Sequence, residues 1–375
     1  MKIEMVDLKG QYAKIQAEID AAVLKTIRDA SFINGPEVAS FTKNLSAYLG
    51  GAHVIPCANG TDALQVAMMA LGLEPGDEVI GPSFTYVATA EVIGLLQLKP
   101  VMVDVDPIHF NITKANIEQA IGPKTKAIVP VHLFGQCADM ESILALAKEK
   151  GLYVIEDTAQ AIGAVYTFSD GTQKQAGTMG HIGCTSFFPS KNLGCYGDGG
   201  AIYTNDPVLA ERIKMVANHG QVKKYVHKYI GVNSRLDTIQ AAILDIKLKY
   251  LDQYSAARRA AADRYDRLLS GIDGLQTPVR AKNSTHVFHQ YTIVIANRKR
   301  DALKQHLEAA GIPAMVYYPV PLNEQEAFRT IGSVVGSLNE TERLCASVLS
   351  LPMHTELTEE QQVFITDTVK YFFKS

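Results

Sequence analysis

Apolar positions along the chain change rhythm several times. Between residues 12 and 29, Ile15, Ile19, Val23 and Ile27 recur every four positions, close to the helical period, and predict an amphipathic helix. A turn at Asn34-Gly35-Pro36 separates it from a second helix that ends near Leu49. Short apolar runs then alternate with longer amphipathic ones. The runs predict strands at 53–57, 78–81, 100–104, 127–132 and 152–155, and the intervening stretches predict helices at 61–73, 83–98, 114–121 and 139–150. Apolar strands separated by helices in this way specify βαβ units and a parallel sheet buried on both faces. Runs 182–188 and 200–204 read as two more strands with no full helix between them, so the sheet is expected to be mixed.

After Asp206 the helical pattern lengthens, over 208–217, 237–251 and 254–269. Strands at 286–295 and 312–318 and a closing helix at 359–372 then suggest a smaller α+β unit. The expected division is 1–250 for the large unit, with the N-terminal helices in it, and 251–375 for the small one.

Composition narrows the function classes. Of 375 residues 47% are hydrophobic and 20% charged, as in ordinary globular proteins, and the length suffices for a large core with a second domain. The net charge of −3 leaves no basic excess for nucleic acid. No apolar run approaches the ~20 residues of a membrane span. The five cysteines form no CxxC pair, which favours reduced thiols over a disulfide framework, and no metal is expected. With no signal-peptide core in the first residues, a cytoplasmic protein is expected.

In an open α/β sheet, ligands gather beyond the carboxyl ends of the strands. Asn59-Gly60-Thr61-Asp62 is such a strand-to-helix turn: a glycine lets backbone approach an anion, and the helix start offers free N–H groups. Taken alone it reads as an ordinary helix start capped by Thr61 or Asp62. Tyr86, past the strand at 78–81, offers a ring for stacking or simply packs. Asp157, after Glu156, ends another strand as a helix cap or as the partner of a bound cation. Ser186 precedes by five residues Lys191, which follows the apolar run 182–188. A lysine there either reaches for solvent or, held in a pocket, has a lowered pKa and forms a Schiff base with a carbonyl. Together, an anion-binding turn, an aromatic face, a carboxylate and a lysine match the requirements of pyridoxal 5'-phosphate.

These segments resemble the DegT/DnrJ/EryC1/StrS family of sugar aminotransferases. The likeness rests on Asn59-Gly60-Thr61-Asp62-Ala63-Leu64, Gly76-Asp77-Glu78-Val79-Ile80, Val131-His132-Leu133-Phe134-Gly135-Gln136, Glu156-Asp157-Thr158-Ala159-Gln160, Ser186-Phe187-Phe188-Pro189-Ser190-Lys191 and Asn218-His219-Gly220. The resemblance implies fold type I of the pyridoxal phosphate enzymes: an α/β large domain with a mostly parallel, mixed seven-stranded sheet and a smaller α+β C-terminal domain. It makes Lys191 the Schiff-base lysine and proton carrier, Asp157 the partner of the pyridine nitrogen and Gln160 the contact to the ring hydroxyl. Gly60, Thr61 and Ser186 become phosphate contacts, and Tyr86 the stacking ring. Asn233 becomes a phosphate contact from a neighbouring subunit, which implies a homodimer with shared active sites.

The implied reaction moves an amino group from L-glutamate to a nucleotide-linked keto-sugar. The stretches Asp7-Leu8-Lys9-Gly10-Gln11 and Pro319-Val320-Pro321-Leu322-Asn323 look most like enzymes acting on UDP-linked 2-acetamido-2-deoxy-3-oxo-glucuronate, of surface-polysaccharide and lipopolysaccharide biosynthesis. Arg235 pairs with a sugar carboxylate or a phosphate, or else lies in an interface salt bridge. Tyr317 and Tyr318 are substrate contacts by resemblance. Asn323 departs from the family, where many relatives have histidine. Three alternatives stay open: a dehydratase, against which Lys191 stands because those compared carry histidine there; an aminotransferase for a C4-keto or deoxy sugar; and a catalytically silent regulator.

Overall fold

The computed structural model describes residues 2–374. The chain opens with α1 (Leu8–Arg28) and α2 (Pro36–Tyr48). Ile15 and Ile19 of α1 are buried against Ile243 and Ile246, but Ile27, on the expected apolar stripe, is 48% exposed. The alternation that follows runs β1 (His53–Cys57), α3 (Gly60–Leu71), β2 (Glu78–Pro82), α4 (Ala88–Leu95), β3 (Lys99–Val103), α5 (Lys114–Ala120), β4 (Thr125–Ile128), α6 (Met140–Lys150) and β5 (Tyr153–Asp157). A small hairpin, β6 (Val165–Thr167) and β7 (Gln173–Gln175), precedes β8 (Ile182–Ser186) and β9 (Gly200–Thr204).

Then come α7 (Pro207–Ala217), the hairpin β10 (Gln221–Lys223) and β11 (Val226–His227), α8 (Thr238–Leu248) and α9 (Leu251–Leu269). The C-terminal part adds β12 (Leu275–Gln276), β13 (Tyr291–Ile295), α10 (Arg300–Ala309), β14 (Ser333–Val334), α11 (Asn339–Ser347), β15 (Val348–Leu351) and α12 (Glu359–Lys374).

The central sheet has the order β1-β9-β8-β5-β4-β2-β3-β14. The seven expected strands are joined by an eighth: β14, from the C-terminal part, pairs parallel with β3 at the edge. Only β9 runs against the others, antiparallel to both β1 and β8. That one reversal follows from the missing crossover helix between β8 and β9. A second, antiparallel sheet, β12-β13-β15, buries Tyr291, Ile293 and Leu349 with Tyr265 of α9, Leu303 of α10 and Ile365 of α12.

Three sequence expectations are corrected here. The helix expected over 83–98 is confined to α4, because residues 83–87 form the loop after β2. The strand expected from 286 begins only at Tyr291, because the backbone before it is spent on another loop: Val287 N–H donates to Gly135 O at 2.9 Å and Gln290 N–H to Phe134 O at 3.4 Å. No strand forms over 312–318. Met315 makes a single bridge to Ser350, and the flanking Pro313 and Pro319 have no N–H to extend a ladder.

Candidate active site

The carboxyl ends of β1, β2, β5 and β8 share one edge of the sheet. In the ladder Gly200 of β9 stands opposite both Cys57 of β1 and Ser186 of β8, which brings those two strand ends together. The approach is close. A Cβ on Gly200 would lie 2.5 Å from the carbonyl carbon of Asn59, and one on Gly60 would lie 2.7 Å from Ser186 Cβ. Gly60 opens α3, and its N-cap is Asn59, whose Oδ1 accepts from Asp62 N–H at 2.8 Å. Thr61 and Asp62, the caps considered from sequence, are already inside the helix. The first N–H groups of α3 therefore head the positive end of a 12-residue helix beside the Ser186 hydroxyl, a suitable place for an anion.

Lys191 sits on a loop pinned from below. Phe187 and Leu193 are fully buried against Phe41, Tyr203 and Leu244, and Cys195 N–H donates to Phe187 O at 2.8 Å. Two α8 side chains hold the descending limb: Lys247 Nζ donates to Gly194 O, and Gln240 Oε1 accepts from Tyr196 N–H at 2.8 Å. Lys191 itself is half-buried. Burial lowers its ammonium from 10.5 to about 8, against the pull of the Asp157 charge, so a substantial share is neutral amine near pH 8.

Two adjacent carboxylates close β5 and point to opposite tasks. Glu156 is fully buried and saturated: its carboxylate accepts from Gly177, Met179 and Gly180 N–H at 2.9, 2.7 and 2.5 Å, and Oε2 lies 2.9 Å from His132 Nε2. His132 Nδ1 accepts from Ala138 N–H, which puts the ring proton on Nε2. Asp157 has lighter support, accepting from Thr89 Oγ1 and Ala159 N–H at 3.1 Å each. Burial raises its pKa above 3.8, while the Ala159 N–H and the Lys191 charge pull the other way. A buried carboxylate with capacity left over is poised for a cationic partner.

Gln160 ties this edge to the C-terminal part. Its Oε1 accepts from Phe134 N–H at 2.7 Å and its Nε2 donates to the Tyr318 hydroxyl at 3.0 Å. Tyr318 in turn packs on Phe84 and lies 6.3 Å, ring to ring, from Tyr86, and it neighbours Tyr317 at 6.0 Å. Tyr86 is 57% exposed, a large ring with an open face. Asn323 is spent on the fold, since its Oδ1 accepts from Ser83 Oγ at 2.8 Å.

Asn233 is exposed and Arg235 half-buried, and among the described residues neither side chain has a partner. Ser234 between them is buried and accepts from Ala58 N–H at 3.0 Å, which anchors the segment beside the Gly60 turn of its own chain. Sequence reasoning missed Thr89, His132 and the residue 134 amide. Of these, His132 and Phe134 lie in one of the motifs that carry the family resemblance, whereas Thr89 carried no signal in sequence.

Comparisons with known proteins identify the family. The model of the DegT/DnrJ/EryC1/StrS aminotransferase family matches residues 13–370. A UDP-2-acetamido-2-deoxy-3-oxo-D-glucuronate aminotransferase of Pseudomonas aeruginosa is 48% identical over 95% of this chain and 96% of its own. A pleiotropic regulatory protein of Geobacillus stearothermophilus is 46% identical over 100% and 99%. Among solved structures, S. venezuelae DesV in complex with a ketimine intermediate superposes with a TM-score of 0.94, at 39% identity over 100% of this chain and 99% of that one. The chain belongs to the DegT/DnrJ/EryC1/StrS aminotransferase family, and it is a pyridoxal phosphate-dependent enzyme.

Proposed function

We propose that the enzyme transfers an amino group from L-glutamate to a UDP-linked 3-keto sugar, 2-acetamido-2-deoxy-3-oxo-glucuronate or a close analogue. The observation that carries the reading is the meeting of four groups at one sheet edge: the Gly60–Ser186 cradle, the open Tyr86 ring, Asp157 and Lys191. The residues fit pyridoxal phosphate, because Gly60 leaves space beside a helix start that any Cβ would fill. Gly60, Thr61 and Ser186 would hold the phosphate, Tyr86 would stack on the ring, Gln160 would face its hydroxyl and Asp157 its nitrogen. The bound cofactor supplies an electron sink and carries the amino group between donor and acceptor.

The chain's own part is proton handling and orientation. Lys191 Nζ, with an ammonium pKa of about 8, takes a proton from the substrate carbon and returns one to the opposite side of the exchange. Such transfer is typically worth ~10² to 10⁴ in rate. Asp157 keeps a negative charge where a cationic ring nitrogen needs one. Asn233 and Arg235, whose side chains have no partner among the described residues, are proposed to cross into the site of a second copy, Asn233 towards phosphate and Arg235 towards a carboxylate or phosphate of the substrate. Tyr317 and Tyr318 then line the sugar end.

A second reading, a regulator without turnover, draws on the name of the Geobacillus stearothermophilus relative. Lys191 and Asp157 are both in place against it. The test is incubation with L-glutamate and a panel of UDP- and dTDP-linked 3- and 4-keto sugars, with the aminated product detected by mass spectrometry. Amination of the 3-keto glucuronate at the highest kcat/KM is expected. Preference for a 4-keto sugar would move the reading to the other carbon, and no product from any sugar would favour the regulator.

A further inference from the structure

Behind the lysine loop lies a buried imidazole that the reaction described above does not use. His289 is 6% exposed, and among the described residues its Nδ1 has no hydrogen-bond partner. Its backbone is clamped: Arg258 Nη1 donates to the carbonyls of Phe288, His289 and Met353 at 3.1, 3.4 and 3.0 Å. Gly135 presses on the same segment, where a Cβ would lie 3.0 Å from both the Phe288 and His289 nitrogens. The segment is also tied to the lysine itself through the next residue, since Asn192 Nδ2 donates to Val287 O at 2.9 Å. Asn192 Oδ1, likewise buried, has no partner among the described residues. A buried ring nitrogen left unpaired costs about 1–3 kcal/mol, and such groups call for an occupant.

The ring's tautomer follows from its neighbour. Gln290 Nε2, a donor, lies 3.5 Å from His289 Nε2, which makes Nε2 the acceptor and leaves the proton on Nδ1. We propose that His289 is a positioning residue that receives the ε-amine of Lys191 whenever that amine is free, its Nδ1–H donating to the amine's lone pair. An ammonium has no lone pair to offer, so this contact selects the neutral, reactive form. Charge arrangement agrees. Burial first, then the cations Lys191 and Arg258, hold the imidazole neutral well below 6.5, and on Lys191 itself the Asp157 carboxylate is the opposing influence that favours the ammonium. His289 is thus the counterweight to Asp157, and it lies on the other side of the lysine in chain terms, 98 residues on, at the entry to β13.

The inference rests on Lys191 being the reacting amine, and its test needs no cofactor and no substrate. The apoprotein is labelled competitively with trace acetic anhydride between pH 6 and 10, and acetylation at Lys191 is read by peptide mass spectrometry. Lys247, a second buried amine also lowered to about 8, serves as internal reference. In His289→Leu, labelling of Lys191 at pH 8 is expected to fall at least about twofold, which corresponds to a rise of half a pH unit in a titration centred near 8. His289→Asn, which returns an amide near the Nδ1 position, is expected to restore it.

Unchanged or faster labelling in the leucine variant overturns the inference. So does a failure of asparagine to rescue, since an ordered water bridging His289 and Asn192 would give that result. Should the leucine variant not fold by circular dichroism, His289→Asn and His289→Gln decide instead: glutamine reaches the Nε2 position, so it should lose what asparagine keeps, and equal values overturn the proposal. Failure of the underlying reading looks different, because a Lys191→Ala protein that still turns yellow with pyridoxal phosphate would remove Lys191 from the chemistry altogether.

Discussion

Gly60 and Ser186 meet so closely that a methyl group on the glycine would lie 2.7 Å from the serine Cβ. The contact exists because Gly200 stands in the ladder opposite both Cys57 and Ser186, so three strand ends and a helix start converge on one spot. Helix propensity alone would favour alanine at position 60 by up to ~1 kcal/mol. Overpacking there costs ~1–3 kcal/mol and pushes Ser186 away from the helix start. Gly60→Ala is therefore expected to fold and to bind pyridoxal phosphate at least about tenfold more weakly, as measured by absorbance titration of the apoprotein. Unaltered affinity would show that the anion site lies elsewhere.

Glu156 and Asp157 should respond in opposite ways. Removing the Glu156 carboxylate leaves three backbone N–H groups and His132 without an acceptor, so Glu156→Ala is expected to destabilise by about 3–5 kcal/mol and to express poorly. Denaturant unfolding checks it.

Asp157→Asn is expected to leave the apoprotein as stable as the parent or more so, while kcat falls by ~10² or more. Its folded pKa is raised, so the stability it contributes is fully present below pH 3.8 and is lost as pH climbs through the folded value. At neutral pH its charge is a cost. Lower stability with normal kcat would reverse the assignment.

Lys191 gives a pH signature. Its folded pKa of about 8 lies below the unfolded 10.5, so the unfolded chain binds more protons between those values and stability gained by the folded state rises across that window. Lys191→Met apoprotein should melt higher than the parent below pH 8, and the gap should close as pH approaches 10.5. Parallel melting curves across the range would mean that the ammonium is well solvated.

Tyr86 is exposed and packs only obliquely on Tyr318, so Tyr86→Ala should change stability by less than ~0.5 kcal/mol. Loss of a stacking face worth ~0.5–1.5 kcal/mol should weaken cofactor binding by about two- to tenfold. The comparison of unfolding with cofactor titration separates the two effects.

Much of this site was legible in sequence because its chemistry lies at strand ends. The apolar runs before Asp157 and Lys191 are local, and the glycine turn at Gly60 is local too. What was not legible depends on pairs distant in the chain. Thr89 is 68 residues from the Asp157 it supports, and Gln160 reaches Tyr318 across 158. The C-terminal part reads worst for the same reason. Residues 286–290 have a strand-like sequence, yet the Val287 and Gln290 N–H groups go to the Phe134–Gly135 turn, and Pro313 within and Pro319 just after 312–318 undo its apolar run. The eighth strand is two residues long, too short for any periodicity.

The most direct test of the central claim is the absorption spectrum of the purified protein with pyridoxal phosphate, before and after adding L-glutamate. The account predicts a yellow protein that bleaches with glutamate, and loses both colour and response in Lys191→Ala. A wild-type protein that stays colourless with the cofactor, or a Lys191→Ala protein that behaves like the parent, would contradict it.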